Sequence, residues 1–185
     1  FKYLSKKKIF VVGLGISGFS LAMKFKKDKI IYYCWDDNEK VRAICLKKQL
    51  NIVPPEEINF KKIDFLILSP GIPNNHKSAI IAKKYSCKII SDIELLHYVN
   101  NKSVLIGITG TNGKSTTTKL IEQTIKIKNK NTYSAGNIGI PLSDLELRRT
   151  ISSNLIIEAS SFQLDRIIDL KFNILLYFSK RQIII

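Results

Sequence analysis

Cysteine is scarce in this chain. Cys34, Cys45 and Cys87 are the only three in 185 residues. They lack the close pairing that holds a zinc ion and the even framework of a disulfide-stapled domain. An odd, scattered set fits a reducing, cytoplasmic compartment, with the three acting as small buried apolar residues. Long apolar runs are also missing: no stretch approaches the ~18 residues of a membrane helix, so no transmembrane span is expected. The start, FKYLSKKKIFVVGLG, carries a lysine cluster and then an apolar segment. It is glycine-punctuated and has no small-residue cleavage site, so it reads as a first strand rather than a signal peptide. Acidic residues are few, 15 against 30 Lys and Arg, for a net charge of +15. Such a charge raises nucleic acid as a partner. The lysines, however, are spread over the whole chain, and no aromatics are interleaved with them as a stacking platform would need. No nucleic-acid partner is expected, and a small anionic substrate is the milder consequence of the charge.

What is present is an alternation of short apolar runs with helical spacings. Ile9-Phe10-Val11-Val12, Ile30 to Trp35, Phe65-Leu66-Ile67-Leu68 and Lys88-Ile89-Ile90 read as strands. Residues 19–28, Val41 to Leu50, Ser78 to Tyr85 and Asp92 to Val99 read as helices between and after them. After a polar Asn100-Asn101-Lys102 the pattern restarts. Strands are expected at Val104 to Ile108, Thr132 to Ala135, Leu155 to Ile157 and Ile174 to Tyr177, with a helix over Lys114 to Lys128. Strand–helix alternation implies parallel sheets with crossover helices. The expected fold class is α/β. Two α/β units are expected, over residues 1–99 and 100–185, with the boundary at the polar Asn100-Asn101-Lys102. A monomer is expected.

Three stretches carry chemistry. Gly13-x-Gly15-x-x-Gly18 lies between a strand and a helix, with Asp36 ending the next strand. That is the arrangement of a dinucleotide site, and alone it would suggest an NAD-dependent oxidoreductase. A lone glycine pattern of this kind is a weak signal, and a tight strand-to-helix turn serving another ligand is the favoured reading. Thr109-Gly110-Thr111-Asn112-Gly113-Lys114-Ser115-Thr116 is more specific. Its glycines permit a loop whose N–H groups surround phosphate oxygens, its lysine supplies a point charge, and its hydroxyl can bind Mg²⁺. The strict P-loop pattern would place glycine at position 108, where this chain has Ile108. Third, Glu158 closes the apolar run of Ile156-Ile157, where a parallel sheet presents ligands and a carboxylate can hold a phosphate-bridging Mg²⁺. His76 and His97 sit near no obvious partner and read as structural or solvated.

Taken in order, GLGISG, SPGIP, GTNGKST, GNIGIP and EASSFQL resemble the Mur ligase family, and within it the branch that adds D-glutamate. The resemblance runs to about Asn173 and implies a Rossmann-like domain over residues 1–99 followed by a truncated P-loop domain over residues 100–185. It implies ATP-dependent amide formation between D-glutamate and UDP-N-acetylmuramoyl-L-alanine through an acyl phosphate. It implies that Gly110, Thr111, Asn112, Gly113, Lys114, Ser115 and Thr116 cradle ATP, with Lys114 and Glu158 catalytic and Ser115 and Glu158 holding Mg²⁺. It also implies that the first glycine loop takes the uridine end of the substrate rather than NAD. Ile16, Ser17, Asp37, Ser69, Pro70, Gly71, Asn137, Ser160 and Gln163 would then form the substrate site.

The chain departs from the family pattern in two places. A Thr-Arg pair common after Asp36 is replaced by Asp37-Asn38. Past Tyr177, where the family carries an Asp-His segment, the sequence reads Phe178-Ser179-Lys180-Arg181-Gln182 and three isoleucines. That loss of pattern suggests truncation or a reading-frame slip near Ser179, leaving an inactive fragment. The alternative is a short uridine-nucleotide-binding module without catalysis.

Overall fold

A computed structural model describes residues 2–99, 103–137, 141–142 and 153–179. The expected linker at 100–102, the centre of the GNIGIP loop and the end of the tail lie outside them. Two parallel four-stranded sheets organise the chain. The first contains β1 (Lys8–Val12), β2 (Ile31–Trp35), β3 (Phe65–Leu68) and β4 (Lys88–Ile90), in the order β2-β1-β3-β4. Helices α1 (Ile16–Lys27), α2 (Glu39–Lys47) and α3 (Lys77–Lys84) connect these strands, and α4 (Leu95–Val99) follows β4. The second sheet contains β5 (Val104–Gly110), β6 (Thr132–Gly136), β7 (Asn154–Glu158) and β8 (Ile174–Phe178), in the order β6-β7-β5-β8. Helix α5 (Lys114–Lys128) follows β5, and the single turn α6 (Ser161–Leu164) follows β7.

The strands follow the apolar runs because both faces of β1 and β3 are covered. Every residue of β3 is buried, as a doubly covered parallel strand requires. In α1 the buried residues are Gly18, Leu21, Ala22 and Phe25. This is an i, i+3, i+4, i+7 stripe laid on the sheet, and each large side chain there contributes about 1.5–3 kcal/mol. Helix α2 starts at Asn38, whose side chain accepts from the Lys40 N–H, a cap worth about 1 kcal/mol. Two differences from the sequence reading stand out. The segment at Lys2–Lys6 is a 3₁₀ turn ahead of the first strand. The residues after Ser160 form a helical turn, closed by a capping box between Ser160 and Gln163. All three cysteines are free and buried. Burial pushes the Cys34 thiol up to about 12 and the Cys87 thiol up to about 11, so both stay protonated and inert.

The two sheets are sewn together by buried polar groups. Gln163 Nε2 donates to Asp92 Oδ1 at 2.8 Å. The Glu94 carboxylate, fully buried, accepts from the backbone N–H groups of Ile168, Asp169 and Leu170 at 3.1, 2.8 and 3.2 Å. Arg166, only 4% exposed, donates to Asn74 Oδ1 at 2.9 Å and to the Ile72 carbonyl at 2.6 Å. An apolar layer of Ile93 and Leu96 from one side and Leu105, Leu155 and Leu170 from the other encloses the seam. Buried charge of this kind persists only where it is fully hydrogen-bonded.

Burial raises the Asp92 pKa above the ordinary carboxylate value, against the opposing pull of the Gln163 amide, nearby backbone N–H groups and Arg166. The folded chain therefore holds this proton more tightly than the unfolded chain. The Asp92 contribution to stability falls as pH rises from the ordinary carboxylate pKa through the raised one. The stability difference between Asp92→Asn and the parent, from denaturant melts, is expected to move in the variant's favour across that window. A difference independent of pH would show that Asp92 ionises equally in both states. A second expectation concerns β8, which lies at the edge of its sheet with Leu175 50% and Tyr177 70% exposed. Such an apolar edge favours self-association. Tyr177→Lys is expected to reduce light scattering on concentration without lowering the melting temperature; unchanged scattering would place the adhesive surface elsewhere.

Candidate active site

Parallel pairing sets the geometry of both candidate sites. In the first sheet Val12 lies opposite Trp35 on one side and opposite Leu68 on the other. The residues that follow these three strand ends therefore meet at one edge. β1 is flanked by the next strand in sequence on one side and by β3 on the other, which makes this edge a topological switch point, where open α/β sheets open a crevice. The Ser69 hydroxyl donates to the Gly13 carbonyl at 2.6 Å, tying the SPGIP turn to the GLGISG loop. Gly18 is required here by close packing, since a Cβ would overlap the Gly13 carbonyl oxygen. Ile16 stands exposed on the first turn of α1, beside the half-buried Ser17. Ser69 and Pro70 are half-buried and Gly71 is exposed.

The two acids after β2 point to different neighbours. Asp36 Oδ2 accepts from the Leu14 N–H at 2.6 Å, and its other oxygen from the Asn38 N–H. Asp37 instead accepts from the Trp35 indole N–H at 2.9 Å and lies 3.0 Å from His76 Nε2. The Trp35 indole, then His76 and Lys77, hold the Asp37 carboxyl below the usual carboxylate range. Arg42 stacks over the Trp35 ring at 4.5 Å. The reading of His76 as a residue without a partner is thus corrected. Its Nε2 faces Asp37, and its Nδ1 accepts from the Ser78 N–H to cap α3. The two residues are 39 apart in sequence, so no local pattern could have paired them. Asp36, read in the sequence as the strand-end acid that accompanies the glycine loop, is the carboxylate that reaches that loop.

In the second sheet Ile108 lies opposite Glu158, and Glu158 lies opposite Gly136. Three loops therefore converge on Glu158, which is only 2% exposed. Ser115 Oγ donates to Glu158 Oε2 at 2.8 Å, and Asn137 Nδ2 approaches Oε1 at 3.4 Å. Lys114 Nζ donates to the Gly110 carbonyl at 2.6 Å, folded over its own loop. Gly110 has φ +134 and packs so closely on the end of β8 that a Cβ would overlap the Phe178 carbonyl oxygen. The Thr111 N–H donates to that same carbonyl at 3.1 Å. Thr111, Asn112, Ser115 and Thr116 are exposed at the N-terminus of α5, the positive end of a helix dipole and a natural anion site.

A divalent cation fits the chemistry of this donor set. Among the described residues no cluster of three or more His, Cys, Asp or Glu is present. One buried carboxylate and one hydroxyl are the pattern of a Mg²⁺ that takes its other ligands from phosphates and water. The structure thus brings together Lys114, Ser115, Asn137 and Glu158. It commits Gln163 elsewhere: Gln163 is fully buried, its Oε1 accepting from the Ser160 N–H and its Nε2 engaged with Asp92.

Comparison with known proteins points to one family. Residues 108–179 match the Mur ligase middle domain. The chain is 41% identical over 163 residues to a UDP-N-acetylmuramoylalanine–D-glutamate ligase of Wolbachia pipientis, covering 86% of this chain and 31% of the relative. It is 40% identical over 165 residues to the ligase of that name in Rickettsia felis, covering 87% of this chain and 35% of the relative. The chain therefore spans about a third of the length of these relatives. Among solved structures, UDP-N-acetylmuramate–alanine ligase MurC of Thermotoga maritima superposes over 95% of this chain and 42% of its own, with TM-score 0.53 and 20% identity. The Neisseria ligase acting on UDP-N-acetylmuramate and L-alanyl-γ-D-glutamyl-meso-diaminopimelate gives TM-score 0.51 and 16% identity, over 84% of this chain and 55% of its own. These two likenesses establish the fold. Residues 108–179 belong to the Mur ligase middle-domain family, and the chain is similar to Mur ligases over most of its length.

Proposed function

We propose that this chain forms the nucleotide-sugar and ATP sites of a ligase that joins D-glutamate to UDP-N-acetylmuramoyl-L-alanine. The observation that carries the reading is the contact of Ser115 Oγ with Glu158 at the mouth of the GTNGKST loop, in a chain about 40% identical to D-glutamate ligases. In this reading the substrate carboxylate oxygen bonds to the γ-phosphorus of ATP and ADP departs. The D-glutamate nitrogen then attacks the acyl carbon, phosphate leaves, and the nitrogen loses a proton. The product is an amide, an acid–amino-acid ligation of peptidoglycan precursor synthesis.

The chain's own groups contribute charge and position rather than covalent chemistry, as is general for phosphoryl transfer. Residues Gly110 to Thr116 wrap the triphosphate with backbone N–H groups. Lys114 swings from the Gly110 carbonyl to the β- and γ-phosphates. Ser115 and Glu158 hold Mg²⁺, which neutralises the phosphate oxygens when bound. Asn137, beside Glu158, meets the acyl end of the substrate, and Ser160, two residues past Glu158 in the chain, caps the turn that follows. Ile16, Ser17, Asp37 and the Ser69-Pro70-Gly71 turn receive the uridine diphosphate end, and Asp36 joins them through its hold on the glycine loop. Gln163 supports the site from its buried position. A cytoplasmic location follows from the nucleotide substrates. The division into a nucleotide-sugar domain over 1–99 and an ATP domain from 100 onward belongs to the same reading.

The test is calorimetric titration of the chain with UDP-N-acetylmuramoyl-L-alanine, with Mg²⁺ and a non-hydrolysable ATP analogue, and with NAD⁺. Saturable binding of the first two and none of the third is expected. Lys114→Met is expected to weaken the ATP analogue by about a hundredfold, ~2.7 kcal/mol, and leave the nucleotide sugar unaffected. Binding of NAD⁺ in place of the nucleotide sugar would overturn the reading.

A further inference from the structure

The SPGIP turn does not stand on its own sheet alone. Arg166, eight residues after Glu158 in the chain, reaches across the seam and surrounds itself with that turn. Its Nε donates to Asn74 Oδ1 at 2.9 Å, its Nη2 to the Ile72 carbonyl at 2.6 Å, and its Nη1 lies 3.4 Å from the Leu68 and Ser69 carbonyls. Asn74 is held in turn by Asp165, its Nδ2 donating to Asp165 Oδ2 at 2.9 Å. The Arg166 backbone is fixed as well, its carbonyl accepting from the Ser91 N–H at 3.2 Å. Ser69 continues the path to the GLGISG loop through its bond to the Gly13 carbonyl. No carboxylate forms an ion pair with Arg166 among the described residues. The guanidinium is bound chiefly by carbonyl oxygens.

This arrangement has two physical consequences. The carbonyls of Leu68, Ser69 and Ile72 are aimed at a buried cation, so their negative ends are turned away from an anion approaching the opposite side of the turn. The turn's position also becomes a function of the segment that begins at Glu158. A planar guanidinium with fixed donor directions sets this distance in a way that the flexible, compact lysine ammonium does not.

We propose that Arg166 is a positioning residue of the nucleotide-sugar site, fixing the Ser69–Ile72 turn in register with the Glu158 end of the second sheet. The inference rests on the reading of that turn as part of the sugar-nucleotide site. Two ligands bound on different sheets react only if their reacting atoms are held ~3–3.5 Å apart. Arg166 reaches the substrate turn directly from the chain segment carrying the metal-end carboxylate.

The experiment measures affinity for UDP-N-acetylmuramoyl-L-alanine, and separately for a Mg²⁺-bound non-hydrolysable ATP analogue, in the parent chain, Arg166→Met and Glu94→Gln. Glu94 lies in the same seam but bonds residues 168–170 rather than the turn. Both substitutions are expected to lower the melting temperature. Arg166→Met is expected to weaken the sugar nucleotide about tenfold, equivalent to ~1.4 kcal/mol, with the ATP analogue unchanged. Glu94→Gln is expected to leave both affinities unchanged, and amide hydrogen exchange at 69–72 is expected to accelerate only in Arg166→Met. Should Arg166→Met not fold, Arg166→Lys and Asn74→Ala are expected to show the same selective loss to a smaller extent. Equal losses in the Arg166 and Glu94 variants, or an undiminished sugar-nucleotide affinity on replacing Arg166, would overturn the proposal alone. Absence of sugar-nucleotide binding in the parent would overturn it together with the functional reading.

Discussion

The parallel register of the two sheets is the constraint on which everything else rests. Parallel strands all end on the same side, so the residues following them are brought together whatever their distance in sequence. Val12 against Trp35 and Leu68 collects the GLGISG loop, the Asp36-Asp37 pair and the SPGIP turn. Ile108 against Glu158, and Glu158 against Gly136, collects the GTNGKST loop, the carboxylate and Asn137. A one-residue slip in either sheet would turn buried side chains to the opposite face and separate these groups. The cores enforce the register: Phe10 and Val12 face one apolar cluster while Ile9 and Val11 face another.

Each sheet gathers its own loops, and a polar seam set in an apolar layer relates the two among the described residues. Glu94 is fully buried and has no basic side chain as an ion-pair partner among the described residues. Three backbone amides satisfy it instead. This is an arrangement for position rather than for stability. An apolar seam could bury comparable area, but it would allow the two units to slide, whereas N–H donors aimed at one carboxylate and carbonyls aimed at one guanidinium fix direction and distance. Burial draws the Arg166 pKa down from its ordinary value, with Asp165 and Asp92 opposing. A guanidinium keeps its charge at physiological pH, so the clamp is not released by proton loss.

Much of the fold was legible in the sequence because local forces decide it. The runs at Phe65 to Leu68 and Lys88 to Ile90, and the helix over Lys114 to Lys128, are found at the expected residues. Each has a clear apolar pattern bounded by turn residues. The GTNGKST loop between β5 and α5 was legible for the same reason, since its glycines, lysine and hydroxyls are contiguous. The short turn α6 was not, because four residues carry too little periodicity and its capping box is read only once Ser160 and Gln163 are seen together. The seam was illegible altogether. Arg166 and Ile72 are 94 residues apart, and nothing near either marks it for the other. The pairing of His76 with Asp37 escaped for that reason too.

The seam also bears on why Gln163 and Ser160 stand in the same short motif as Glu158. Ser160 and Gln163 close α6 on itself, and Gln163 then spends its amide on Asp92. Arg166 leaves the end of that turn pointing into the first sheet. The EASSFQL segment is therefore continuous from the carboxylate at the strand end to the anchor across the seam. Displacing Glu158 along its strand would drag the turn, and displacing the turn would strain four hydrogen bonds to Arg166. One rigid segment therefore ties the Glu158 end of the second sheet, where Ser115 is bonded, to the Ser69–Ile72 turn of the first, and neither end can shift without moving the other.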